Sequence, residues 1–228
     1  MNDQRDRPRV ALASGLGLVL MLAVIVAAAG IRLETGIPGL RIVHRIAASL
    51  EVLVVLWLGW MAWRRPAVQL AIALTVLLSV VGIIGGQSPP PAISTINLLG
   101  GLALAAVFAW MLGRSASGRS GSDTDSRAWG LTPILLLLAI QLGLGAWLTI
   151  VERFGMVLPI HGLLAVALTA ALVWVARARA VLLVLALAAP LAGFTALHYE
   201  YSAAAALVHA AAVALLVAAS AYAFGRAA

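Results

Sequence analysis

Arg114-Ser115-Ala116-Ser117-Gly118-Arg119-Ser120-Gly121-Ser122-Asp123-Thr124-Asp125-Ser126-Arg127-Ala128-Trp129 is the one long polar stretch inside this chain. What flanks it is overwhelmingly apolar: of 228 residues, 64% are hydrophobic and only 10% charged. A water-soluble domain has no use for that balance, so the solvent of the flanking segments is a bilayer. The stretch itself, rich in Gly and Ser, reads as a flexible cytoplasmic linker between two hydrophobic halves.

Outward from the linker, charge-free runs cover 10–31, 66–113, 128–151, 154–176, 180–199 and 201–225. A helix crosses the hydrocarbon with roughly 20 apolar residues. The run 66–113 is too long for one crossing, and Gln87-Ser88-Pro89-Pro90-Pro91 divides it, because proline removes backbone donors and stops helices. Segment 42–63 is charged only at Arg45 and Glu51. These runs predict eight spans, at about 10–31, 42–63, 67–86, 95–113, 130–150, 158–176, 180–197 and 203–224. Four lie before the linker and four after it. The predicted fold is an all-α integral membrane protein of eight transmembrane helices, with residues 1–113 and 130–228 as tandem four-helix bundles joined by 114–129. Because four is even, the halves share an orientation, and a pseudo-two-fold axis would run along the membrane normal. The first span is too long, and lacks the small-residue cleavage site, for a removable leader.

Charge orients the spans. All 15 basic residues are arginine. In an eight-span arrangement Arg5, Arg7, Arg9, Arg64, Arg65, Arg114, Arg119, Arg127, Arg177, Arg179 and Arg226 share one side, and only Arg32, Arg41, Arg45 and Arg153 the other. Eleven against four places both termini in the cytoplasm, as in a bacterial-type inner membrane. Trp60, Trp63, Trp110, Trp129 and Trp174 gather at the same ends, as an interfacial aromatic belt does. The arginines lie between spans rather than along one face, which argues against nucleic acid as a partner. The absence of cysteine excludes thiolate-bound iron–sulfur clusters, covalent haem attachment and disulfides. No nucleotide, zinc or nucleophile-elbow motif is present.

Against this background four polar residues recur at matching depths. His44, Asn97, His161 and His209 each lie one or two turns inside an even-numbered span. A glycine precedes each across the turn: Gly30, Gly82, Gly145 and Gly193, at spacings of 14, 15, 16 and 16 residues. Imidazole is costly in hydrocarbon and a good iron ligand. Histidines on facing helices are how a helical bundle holds a haem. His161 and His209 therefore read as a pair of axial ligands to a haem b, with Fe–N bonds of about 2 Å; the bland alternative for each is a hydrogen bond to a neighbouring carbonyl. His44 meets Asn97 where a second histidine is expected. Three readings stay open there: a five-coordinate haem with an open side, an empty half, or another ligand.

Two charged neighbours sharpen the first half. Arg45 is placed to clamp a haem propionate, or else snorkels to lipid headgroups. Glu51 lies seven residues past His44, on the same helix face and two turns deeper. A carboxyl there is either a proton relay to a redox site or a neutral group bonded to a helix carbonyl. His198, in Leu197-His198-Tyr199-Glu200-Tyr201, reads as an exposed loop histidine, and Glu34 and Glu152 as loop carboxylates.

These residues resemble the haem A synthase family, membrane enzymes with eight helices in two four-helix halves and histidines at the outer ends of helices 2, 4, 6 and 8. Gly30-Ile31-Arg32-Leu33-Glu34-Thr35-Gly36 looks like the family's Arg/Thr/Gly stretch after helix 1. Val43-His44-Arg45 looks like its His-Arg start of helix 2. Gln141-Leu142-Gly143-Leu144-Gly145-Ala146, followed by His161, looks like its Gln-x-x-Leu-Gly helix and next histidine. The resemblance covers most of residues 10–224. It implies oxidation of the haem O methyl to the formyl of haem A for cytochrome oxidase biogenesis. It also implies an electron-passing haem b on His161 and His209, substrate haem O near His44, and haem O synthase and oxidase assembly factors as partners. The family's carboxylate three residues before the helix-2 histidine is Arg41 here, which leaves Glu34 as the nearest catalytic carboxylate. Asn97 replaces the family's second N-terminal histidine, and the loop cysteine pair of some members is absent. A non-catalytic haem-binding assembly protein and a b-type electron carrier are the alternatives.

Overall fold

In the computed structural model residues 3–86, 89–117, 125–148, 156–175, 180–198 and 202–227 are described, with side chains throughout except at 3–6, 125–132 and 175. They form eight helices: α1 (Asp3–Arg32), α2 (Leu40–Ala62), α3 (Pro66–Gly85), α4 (Pro91–Ser117), α5 (Asp125–Leu148), α6 (Val157–Val175), α7 (Ala180–His198) and α8 (Ala203–Ala227). Seven are long and apolar enough to cross a membrane, and α5 adds the apolar stretch Pro133–Leu148. The expected all-helical membrane architecture is therefore present.

The breaks follow local chemistry. Pro66 and Pro91 stand at the first positions of α3 and α4, where the missing N–H is not needed. Gly39 precedes α2 with φ 80°, and Gly86 ends α3 with φ 62°, both in the left-handed region open to glycine. The end of α1 is tied down by Thr35, whose N–H and hydroxyl both reach the Gly30 carbonyl at 3.2 Å.

Helix ends differ most from expectation beside the linker. Residues 114–117 continue α4, and 125–129 already belong to α5, so the expected linker 114–129 contracts to 118–124, which lie outside the described residues. The helix accommodates these serines, whose hydroxyls bond back to its carbonyls. Ser115 donates to the Met111 carbonyl at 2.9 Å and Ser117 to the Arg114 carbonyl at 2.8 Å. Arg114 lies over the Trp110 ring, 5.6 Å from its centroid. His198, expected in a loop, is the last residue of α7, exposed and stacked on Phe194 one turn earlier.

Packing is inside-out, as lipid solvent requires. Leu53, Leu56, Trp60, Ile83, Leu163 and Leu191 are exposed, while buried positions on α8 are mostly Ala, Ser and Gly. Lipid tails are as apolar as leucine, so helices associate through close packing of small residues. Around the first four helices α1 touches α2, α2 touches α3, α3 touches α4 and α4 touches α1. Around the last four, α5 touches α6, α6 touches α7, α7 touches α8 and α8 touches α5. Between these groups α4 and α8 make the most extensive pairing, flanked by α1 on α8 and α5 on α4. Their crossing is backbone against backbone. A Cβ on Gly113 would strike the Tyr222 carbonyl, and one on Gly225 would strike the Trp110 carbonyl. Only glycine permits that approach.

Candidate functional site

The four polar residues occupy matched helix positions. His44 comes four residues after Leu40, the first residue of α2, and His161 four after Val157, the first of α6. Asn97 comes six after Pro91 in α4, and His209 six after Ala203 in α8. All four are half-buried.

Each histidine is held by the residue 20 positions before it, on the preceding helix. His209 Nδ1 lies 2.8 Å from the Ala189 carbonyl on α7. His44 Nδ1 lies 3.4 Å from the Val24 carbonyl on α1, a looser contact. In both, a carbonyl can only accept, so Nδ1 carries the proton and Nε2 keeps its lone pair. His161 is held by the Gln141 side chain. Gln141 Nε2 donates to the His161 main-chain carbonyl at 3.0 Å and lies 3.3 Å from His161 Nε2. Two buried atoms there have no hydrogen-bond partner among the described residues: His161 Nδ1 and Gln141 Oε1. A polar atom buried in this way costs about 1–3 kcal/mol.

Two of the four glycines noted in the sequence serve the rings directly. A Cβ on Gly193 would lie 3.0 Å from His209 Cε1 and Nδ1, and one on Gly145 would lie 3.1 Å from His161 Cε1. The imidazoles of α6 and α8 thus rest against bare backbone of α5 and α7. The other two glycines do something else. Gly30 packs under Leu40 and Thr35, and Gly82 has nothing within 4 Å of a built Cβ.

The remaining candidates separate. Glu51 is buried at 6% exposure on α2 and accepts a hydrogen bond from the Thr75 hydroxyl of α3 at 3.1 Å. Thr75 was not distinguished by sequence from other hydroxyls in the spans. Only its register opposite Glu51 singles it out. Arg45 and Glu34 are exposed, and neither bonds to His44. Glu34 takes a left-handed conformation, φ 49°, just past α1. Asn97 makes no side-chain hydrogen bond with another described residue.

No group of three or more His, Asp or Glu side chains able to hold a metal ion is found among the described residues. A bare ion would find no such cage among the described residues. A porphyrin makes no such demand, since it brings four in-plane nitrogens and asks the protein for one or two axial imidazoles. Neither a protein-family model nor a curated protein matches this chain.

Proposed function

We propose that this chain is a membrane haem protein of two tandem four-helix bundles, with a haem b held between His161 and His209 in the second. Within that class, we propose a haem A synthase-like oxidoreductase, which oxidises a methyl of haem O to the formyl of haem A for cytochrome oxidase biogenesis. The carrying observation is the His161–His209 pair: two imidazoles at the starts of α6 and α8, each resting on a glycine of the preceding helix.

Other features support the reading. The Ala189 carbonyl is one, since an Nδ1–H held there would leave Nε2 to serve as ligand atom, the usual outer-shell arrangement of a metal-bound histidine. The unpartnered His161 and Gln141 atoms are polar groups for which a bound ligand would give a reason. Bound haem would supply one-electron transfer. The protein's own contribution is to hold the two rings and to exclude water. Tandem organisation is supported by the two closed rings of helix contacts. It is supported further by the α4–α8 crossing, where Gly113 meets Tyr222 and Gly225 meets Trp110. Gly113 and Trp110 become Gly225 and Tyr222 when 112 is added to their numbers, and Asn97 becomes His209 by the same step. A reciprocal contact of this kind is what a two-fold axis generates.

In the first half His44 would face substrate haem, Arg45 a propionate, and Glu51, bonded to Thr75, would relay protons. Asn97 favours a second reading, a one-haem assembly or electron-transfer protein, because an amide is a poor iron ligand. Production of the protein alongside a haem O source separates the two. Haem A that disappears in His44→Ala supports the synthase. One haem b and no haem A supports the second reading. Haem A persisting in His44→Ala removes His44 from the chemistry.

A further inference from the structure

Arg32 ends α1 and lines a cleft of about 350 Å³ with Pro89, Pro91 and Ser94, at the start of α4. Its lining is electrostatically one-sided. Arg32 makes no ion pair or hydrogen bond with another described residue, although Glu34 is only two positions away. The Ser94 hydroxyl has one described bond, a long 3.5 Å contact to the Pro89 carbonyl, so it is nearly free to turn. The prolines contribute no N–H and hold the walls in place. No acidic residue occupies the first turn of α4. A guanidinium and a hydroxyl thus face one concavity in which no carboxylate is found among the described residues. Arg32 is exposed and has no described protein partner, and a guanidinium of that kind suits a planar oxyanion, which it binds through two parallel N–H bonds.

The position in the bundle narrows the ligand. Arg32 lies eight residues beyond Val24, whose carbonyl holds His44, which is about 12 Å along α1. Ser94 lies three residues before Asn97, about 4.5 Å along α4. The cleft therefore lies on the outer side of both His44 and Asn97, toward the end where α1 finishes and α4 begins. A flat amphiphile at the level of those two residues with its charged arms toward water would present them here.

We propose that the Arg32–Ser94 cleft binds the carboxylate of a porphyrin lodged in the N-terminal half. The identity of the amphiphile rests on the haem reading above; the oxyanion chemistry is shared with acidic lipid headgroups. The probe that separates these is metal-free protoporphyrin IX, which has carboxylates but no iron, and its dimethyl ester, which has neither. Each is titrated by fluorescence into the full-length protein in nanodiscs of neutral lipid. Wild type binds the free acid about 10-fold or more tightly than the diester. Arg32→Gln erases that preference, Arg32→Lys keeps part of it, and Ser94→Ala reduces it a few-fold, with unchanged elution and melting as the check on folding. Equal preference in wild type and Arg32→Gln, or none in wild type, overturns the proposal. Arg32-dependent retention of phosphatidylglycerol, with porphyrin binding indifferent to Arg32, overturns the porphyrin and makes the cleft a lipid site. If haem b fails to bind at all while the acid preference stays Arg32-dependent, the histidine reading fails and the cleft stands.

Discussion

Replacing Gly193 by alanine tests how tightly the His209 ring is seated. Gly193 stands one turn after Ala189 on α7, and both touch the ring. The Ala189 carbonyl holds Nδ1 at 2.8 Å, and a methyl at 193 would sit 3.0 Å from both Cε1 and Nδ1, against 3.4 Å for ordinary contact. The ring must give way by a few tenths of an ångström, and because Nδ1 is both the crowded atom and the bonded one, that movement disturbs the bond to Ala189. Disturbing an outer-shell bond of a metal-bound histidine typically costs 10–100-fold in affinity, or about 1.4–2.7 kcal/mol. Haem b titrated into purified Gly193→Ala should therefore bind about 10–100-fold more weakly than to wild type, with part of the low-spin spectrum lost. Gly162→Ala is the control, since its methyl meets nothing within 4 Å although it adjoins His161. Wild-type affinity in Gly193→Ala, or an equal loss in Gly162→Ala, would refute the argument that the glycine makes room for the ring.

Gly113→Ala drives a methyl onto the Tyr222 carbonyl, where only backbone can yield. It should lower thermal stability in detergent by about 1–3 kcal/mol or more, whereas Gly143→Ala, in open space, should leave the melting temperature unchanged or higher. Glu51→Gln keeps the shape beside Thr75 and removes the titratable group; haem content should be unchanged and turnover lower, and equal turnover would end the relay assignment. Asn97→His supplies the second imidazole in the first half. The low-spin haem signal per chain should rise, and a signal that stays at the wild-type level would show that Asn97 does not face His44 across a porphyrin.

The helices were legible because long charge-free runs and Pro89-Pro90-Pro91 leave few other ways to satisfy backbone hydrogen bonds in lipid. Their ends were less so. Ser115 and Ser117 look like linker residues until their hydroxyls are seen bonded to the helix behind them. The ligand-type residues stood out by the rarity of imidazole in such a chain, but their supports did not. Two are main-chain carbonyls, Val24 and Ala189, which leave no mark on a sequence. Gln141 was noted as part of a motif, yet its grip on His161 depends on the packing of α5 on α6. Thr75 and the Arg32 cleft likewise arise only when separate helices are brought side by side. The glycine spacing was half informative, since Gly145 and Gly193 meet imidazoles whereas Gly30 and Gly82 do not.

The most direct test of the central claim is the haem content and coordination of the purified protein. Electron paramagnetic resonance should be read beside mass analysis of the extracted porphyrin. The expected result is a low-spin, bis-imidazole haem b that is lost in His161→Ala and in His209→Ala alike. A protein without porphyrin, or a low-spin signal that survives both substitutions, would contradict it.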